Sequence, residues 1–116
     1  MSADDLSHLP LVSAAELALC DGVACAKIWI ALDGKVFDVS EGAGFYGPGG
    51  NYHGFAGVDA TRALALGLTA RPDVLANQGD KRGLSTSQLM KIDDWLDVFE
   101  SKYPVVGRFG VASAKL

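Results

Sequence analysis

The chain has 116 residues, 49% of them apolar and 21% charged, with a formal net charge of −4. That is one domain's length, with enough apolar side chains for a core without disulfides. The ten Lys and Arg residues are scattered, Lys81-Arg82 being the only adjacent pair, so no basic face exists for nucleic acid or an anionic membrane. The longest apolar run, Ile28 to Leu32, is far too short for a transmembrane helix.

Residues 1–10 read as a flexible leader that stops at Pro10. It starts acidic and has no apolar signal core, so cytoplasmic residence is the expectation. Ser13 then opens a short helix, with Glu16 three residues on to complete a capping box. Leu17 is its inward anchor, and Asp21-Gly22 ends it. Two strands, Ile28–Leu32 and Lys35–Val39, flank Asp33-Gly34, the preferred two-residue hairpin turn. Val36 and Asp38 face one side of the second strand, and Phe37 and Val39 face the other.

Residues 42–57 hold seven of the 14 glycines, interleaved with Phe45, Tyr46, Pro48, Tyr52, His53 and Phe55. Glycine at that density lets backbone bend sharply or approach a flat object, and the stretch predicts no regular element. Asp59 is expected to cap a helix over Ala60–Leu68, weakened at Gly67. Residues 69–83 read as loop, marked by Arg71-Pro72, Asn77 and two glycines. A last helix starts at Ser85, boxed by Gln88. Leu89, Ile92, Trp95, Leu96 and Phe99 share one face, with Lys91, Asp93, Asp94 and Asp97 toward water. Tyr103-Pro104 stops it, and residues 110–116 read as a flexible tail. The expected class is α+β, a small sheet with several short helices.

Few constellations carry chemistry. Gly42 to Gly47 matches G-x-G-x-x-G, but Pro48-Gly49-Gly50 follows where a dinucleotide site needs a helix to begin. There is no P-loop and no G-x-S-x-G, and Asp93-Asp94 reads as a solvated face. No classical enzyme activity is expected. Cys20 and Cys25 are spaced C-x4-C, unlike zinc or redox C-x2-C sites. They read as two small thiols in a reducing compartment, a regulatory disulfide or soft-metal site being the alternative. With one histidine in the leader (His8) and one in the glycine loop (His53), bis-histidine haem ligation is disfavoured. Met1 and Met90 do no better. Tyrosine is the remaining haem ligand type, because ferric iron can hold a phenolate. Three tyrosines are nonetheless ordinary for this length, and on residue types alone that site stays one option among others.

The order of motifs narrows the choice. Lys35-Val-Phe-Asp-Val39, Phe45-Tyr-Gly-Pro-Gly-Gly-Asn-Tyr52, Phe55-Ala-Gly-x-Asp59-Ala-Thr-Arg62, Asp94-Trp95 and Lys102-Tyr-Pro-Val-Val-Gly107 closely resemble the membrane-associated progesterone receptor (MAPR) family. The likeness covers residues 11–109. It implies a cytochrome b5-like fold framing a haem pocket, in a haem- or steroid-binding domain over 11–109. Cytochrome b5 itself carries His-Pro-Gly-Gly where this chain reads Tyr46-Gly-Pro-Gly-Gly50. The resemblance implies that Tyr52 is the axial ligand of a five-coordinate ferric haem b, and that Tyr46, Lys102 and Tyr103 line the same pocket. It further implies haem carriage or sensing, partnership with haem-thiolate monooxygenases, and a haem-mediated homodimer. A peripheral place at the endoplasmic reticulum membrane through a partner is the alternative location. The alternative function is a haem-free steroid- or sterol-binding or adaptor module. Many members carry an N-terminal transmembrane helix, which this chain lacks. His53 follows the ligand position directly, where many members have a small residue. It reads either as a solvent-facing loop side chain or as a further contact to the site.

Overall fold

The computed structural model describes residues 8–79 and 81–109. The rest of the expected leader (1–7) and the expected tail (110–116) lie outside the described residues. The sheet has four strands: β1 (Leu11–Val12), β2 (Trp29–Leu32), β3 (Lys35–Asp38) and β4 (Val105–Phe109), in the order β1-β4-β3-β2. The β2–β3 hairpin forms about Asp33 and Gly34, at φ +53° and +82°, as a tight turn with two positive φ values requires. β3 pairs antiparallel with β4, with a register shift between Val36 and Phe37. β1 and β4 run parallel. Neither strand has a local signal in the sequence. Both are fixed by long-range pairing, since the backbone of Arg108 donates to the Pro10 carbonyl (2.8 Å) and its Nε to that of Leu9 (3.0 Å).

The alternation of β3 puts side chains into two cores. Phe37 and Val39 join Ile30, Leu32, Ile92 and Phe99 on one face. Val36 joins Ala31, Val12 and Leu17 on the other. Leu17 belongs to α1 (Ala14–Leu19), which opens on the expected Ser13–Glu16 capping box. It ends earlier than expected, with Cys20 as its cap; Gly22 lies two residues further on, at φ +81°.

The glycine stretch is less irregular than its composition implies. It holds a single helical turn, α2 (Ala43–Tyr46), between 3-10 turns at Ser40–Gly42 and His53–Phe55. The chain bends tightly there, with the Tyr52 amide donating to the Phe45 carbonyl at 2.8 Å. A Cβ on Gly50 would collide with that carbonyl. Helix α3 (Thr61–Leu66) is shorter than expected and has Ala60 at its cap position. Asp59 serves one residue further out, accepting from the Thr61 hydroxyl (2.7 Å) and amide (3.2 Å). Gly67, at φ +76°, ends the helix.

The segment read as loop contains α4 (Arg71–Ala76). Pro72 sits in its first turn, where the missing N–H leaves no gap, so Arg71-Pro72 begins a helix instead of breaking one. Helix α5 (Thr86–Lys102) has the expected Ser85–Gln88 box, and Tyr103 turns to extended backbone before Pro104. Its inner stripe is narrower than the spacing implies. Ile92 and Phe99 are buried and Trp95 and Leu96 half-buried, while Leu89 is exposed. An ion pair between Lys35 and Glu100 fastens α5 to β3.

Phe99 packs edge-on to Phe37, with ring centroids 5.3 Å apart at 83°, and joins sheet to helix. Truncation of Phe99 to Ala is expected to cost about 3–5 kcal/mol. Ser85→Ala, which removes only a cap, is expected to cost about 1 kcal/mol. Urea unfolding of both variants at one pH checks the difference.

Candidate functional site

Three tyrosines far apart in sequence meet above the sheet. Tyr46 ends α2, Tyr52 precedes the 53–55 turn, and Tyr103 follows α5. Tyr46 is central, 6.0 Å from the Tyr52 ring at 30° and 6.2 Å from the Tyr103 ring at 83°. Phe99 lies under the group, 5.8 Å from Tyr46 and 5.7 Å from Tyr103. Tyr52 is stacked on Phe55 (5.9 Å, 27°) and meets Trp95 edge-on (5.9 Å, 84°). The result is a wall of aromatic faces carrying polar tips. Phe45, 55% exposed, stands beside it.

The depths differ. Tyr46 is 5% exposed, while Tyr52 and Tyr103 are half-buried. Burial, reinforced by its nearness first to Tyr103 and then to Tyr52, pushes the Tyr46 phenol up to about 12. Burial also raises that of Tyr103. Charge on one of these oxygens therefore discourages charge on Tyr46, which stays a neutral hydroxyl able to donate a hydrogen bond.

Local backbone chemistry explains the convergence. Gly42 is buried, and a Cβ there would be driven onto the Tyr103 hydroxyl. Arg71 of α4 holds the far side of the loop: its guanidinium donates to the carbonyls of His53 (3.3 Å), Gly54 (3.4 Å) and Ala56 (3.0 Å). That residue was missed in the sequence because its helix was read as loop. Phe99 was legible only as part of an inward helix stripe, and Trp95 as that and as part of the Asp94-Trp95 motif, with neither marked as a wall of a site.

Lys102 is exposed at the end of α5, three residues from Phe99 and so on the same side of the helix by spacing. His53 neither faces solvent freely nor joins the tyrosines. It is half-buried, with Nε2 3.0 Å from the Asp21 carbonyl oxygen. Met90 is 59% exposed. Among the described residues no group of three or more His, Cys, Asp or Glu side chains is arranged to hold a metal ion. Phenol oxygens are the hard donors gathered here, and they are of the kind that suits ferric iron. In kind, the donor set suits an iron porphyrin: phenol oxygens are the hard donors present, and apolar rings stand beside them.

Comparison with known proteins agrees with this architecture. Residues 13–107 match the family described as Cytochrome b5-like Heme/Steroid binding domain. The chain is 42% identical over 97 residues to Probable steroid-binding protein 3 of Arabidopsis thaliana, covering 83% of this chain and 94% of that one. It is 39% identical over 93 residues to Membrane-associated progesterone receptor component 2 of Rattus norvegicus, covering 80% of this chain but only 43% of that protein. The solved structure of a hypothetical Arabidopsis thaliana protein, described as having a cytochrome b5 like fold, superposes with a TM-score of 0.76 at 39% identity, covering 94% of this chain and 98% of that one. The chain belongs to the cytochrome b5-like haem/steroid-binding domain family, on its membrane-associated progesterone receptor branch. Among the described residues no helix is long and apolar enough to cross a membrane.

The raised Tyr46 phenol gives a pH signature. Below about pH 9 the folded and unfolded chains both keep this proton, so its contribution is complete. The unfolded phenol ionises first as pH rises, and roughly 2–3 kcal/mol of stability is lost toward pH 12. Tyr46→Phe is expected to remove that part of the alkaline loss, as read from urea midpoints between pH 9 and about 12.

Proposed function

We propose that this domain binds haem b through the Tyr52 phenolate and acts in haem carriage or sensing. The observation that carries the reading is the ring cluster, in which three phenols of unequal depth share one wall. Tyr46, held neutral by burial, is the hydrogen-bond donor beside the ligand. Tyr103 is the second flanking hydroxyl, and either one tunes the ligand oxygen's basicity. Tyr52, with more of its ring accessible, supplies the oxygen. Lys102 answers a propionate at the rim, where its exposure leaves the ammonium free to move. His53 is engaged with Asp21 and Met90 points to solvent, which supports a five-coordinate iron with Tyr52 as the protein ligand.

When bound, the group supplies a ferric centre whose anionic oxygen ligand favours the oxidised state. Bis-histidine electron shuttling is therefore not the role proposed. Partnership with haem-thiolate monooxygenases and a haem-mediated homodimer belong to the same proposal. So does cytoplasmic residence, or a peripheral place at the endoplasmic reticulum membrane through a partner. No chemistry is assigned to the domain itself, because its family is one of binding modules.

A second reading, a haem-free module for a steroid or sterol, draws on the aromatic wall and on the printed name of the Arabidopsis relative. Flat, apolar ring systems suit such a wall with few polar contacts.

Hemin titration of the purified chain tests the proposal. A Soret complex is expected, with affinity falling at least about tenfold in Tyr52→Phe, equivalent to about 1.4 kcal/mol. Tyr46→Phe and Tyr103→Phe are expected to retain binding with a shifted ligand-to-metal charge-transfer band. Unchanged affinity in Tyr52→Phe refutes the ligand assignment. A chain that ignores hemin but takes up a sterol supports the second reading.

A further inference from the structure

The turn that follows Tyr52 is held from three sides, one of them by a single charged side chain. Toward the sheet, the Gly57 amide donates to the Trp29 carbonyl (2.8 Å) and the Ala31 amide to that of Val58 (3.0 Å), so the end of the turn runs along the outer edge of β2. Toward α1, His53 Nε2 lies 3.0 Å from the Asp21 carbonyl oxygen. The third side is α4, whose Arg71 Nη1 donates to the carbonyls of His53 (3.3 Å), Gly54 (3.4 Å) and Ala56 (3.0 Å). Nη1 carries two hydrogens for three oxygens, so at least one hydrogen is shared.

Two features make this contact more than a surface tie. Gly54 and Ala56 are buried, so their carbonyls need a donor from within the protein, and a guanidinium reaches several oxygens from one planar group. Three carbonyl dipoles aimed at one point also repel each other unless a positive charge sits there. Turn and helix approach closely besides: a Cβ on Gly54 would be driven into the Thr69 carbonyl and would meet the Arg71 amide nitrogen at 3.2 Å. Helix α4 is itself fixed to the main core by Val74, which is 0% exposed. Tyr52 moves with the turn, because its carbonyl accepts from the Phe55 amide (3.1 Å) and its ring stacks on that of Phe55 at 5.9 Å.

We propose that Arg71 is the positioning residue for Tyr52: its guanidinium clamps the turn at residues 53–56 to α4, and the clamp sets how fast a bound haem is released. The inference rests on Tyr52 being the haem ligand. With the clamp in place, the turn, the Phe55 ring and the Tyr52 ring above it keep one arrangement beside Tyr46. Without it, the buried carbonyls lose their donor and the turn loosens on its α4 side, while its bonds to β2 and to Asp21 remain. The ligand oxygen then spends part of its time displaced. Such loosening acts on the bound state, so it is read in the release rate more than in the rate of uptake. Arg71 acts through Tyr52 alone, as groups that orient a metal ligand do.

The test compares the full chain with Arg71→Gln, and with Ser85→Ala as a variant that weakens the fold without touching the turn. Should Arg71→Gln not fold, Arg71→Lys carries the same test, since its shorter stem withdraws the donor from the three carbonyls. In the chain without hemin, amide hydrogen exchange at residues 53–57 is expected to quicken at least about tenfold in the Arg71 variant and to stay unchanged in Ser85→Ala. In the hemin-loaded chain, transfer of hemin to excess apomyoglobin is expected to be at least about fivefold faster in the Arg71 variant, with a shifted phenolate-to-iron charge-transfer band. Ser85→Ala is expected to keep the band and the rate of the unmutated chain. Unchanged exchange at 53–57 in the Arg71 variant overturns the clamp. Faster exchange with the same band and the same hemin loss overturns its hold on Tyr52, as does a Ser85→Ala chain that moves both haem readouts equally. Failure of the unmutated chain to take up hemin refutes the haem reading instead, and the exchange result, read without hemin, then decides the clamp.

Discussion

The edge-on packing of Phe99 holds the fold and the site in one arrangement. Its ring meets Phe37 of the sheet on one side and Tyr46, Trp95 and Tyr103 on the others. Aromatic pairs at such angles place a positive ring edge against a negative face, which adds direction to the burial of apolar area. The helix that carries Phe99 is thereby set at one rotation and one height over β3. The Lys35–Glu100 ion pair acts on the same two elements. The tyrosines inherit their positions from that docking.

Glycine has a different part in the site. At Gly42 and Gly50 the lack of a side chain is a matter of space: the Tyr103 hydroxyl occupies one vacancy and the Phe45 carbonyl the other. Arg71 then gathers three carbonyls of the loop with one guanidinium. A loop built this way needs little side-chain bulk of its own, because neighbours on α4 and α5 define its shape. Burial grades its phenols, so the deepest one keeps its proton, while the other two are only half-buried.

The segment from Cys20 to Ile28 links this loop to the opposite core. It leaves α1, which covers the second face of the sheet with Leu17, and its Asp21 carbonyl meets His53. His53 thus bonds to the segment after α1 and not to the tyrosine cluster. Its place beside Tyr52 in sequence allowed either a solvent-facing side chain or a further contact to the site. The 3-10 turn that begins at His53 directs the two side chains to different neighbours, which neighbouring positions in a sequence do not reveal.

What could be read from residue order alone was whatever short-range chemistry decides. Both capping boxes, the Asp33-Gly34 turn and the stop at Tyr103-Pro104 involve groups at most four residues apart, and each formed where expected. The family resemblance was legible because its motifs come in a fixed order, and it carried the fold class with it. Tertiary structure alone decided the pairing of β1 with β4 and the partner that His53 takes. The meeting of Tyr46, Tyr52 and Tyr103 around Phe99 belongs to the same group. Each of these depends on contacts between distant segments, whose closure is favourable only once the sheet and α5 have already been brought together.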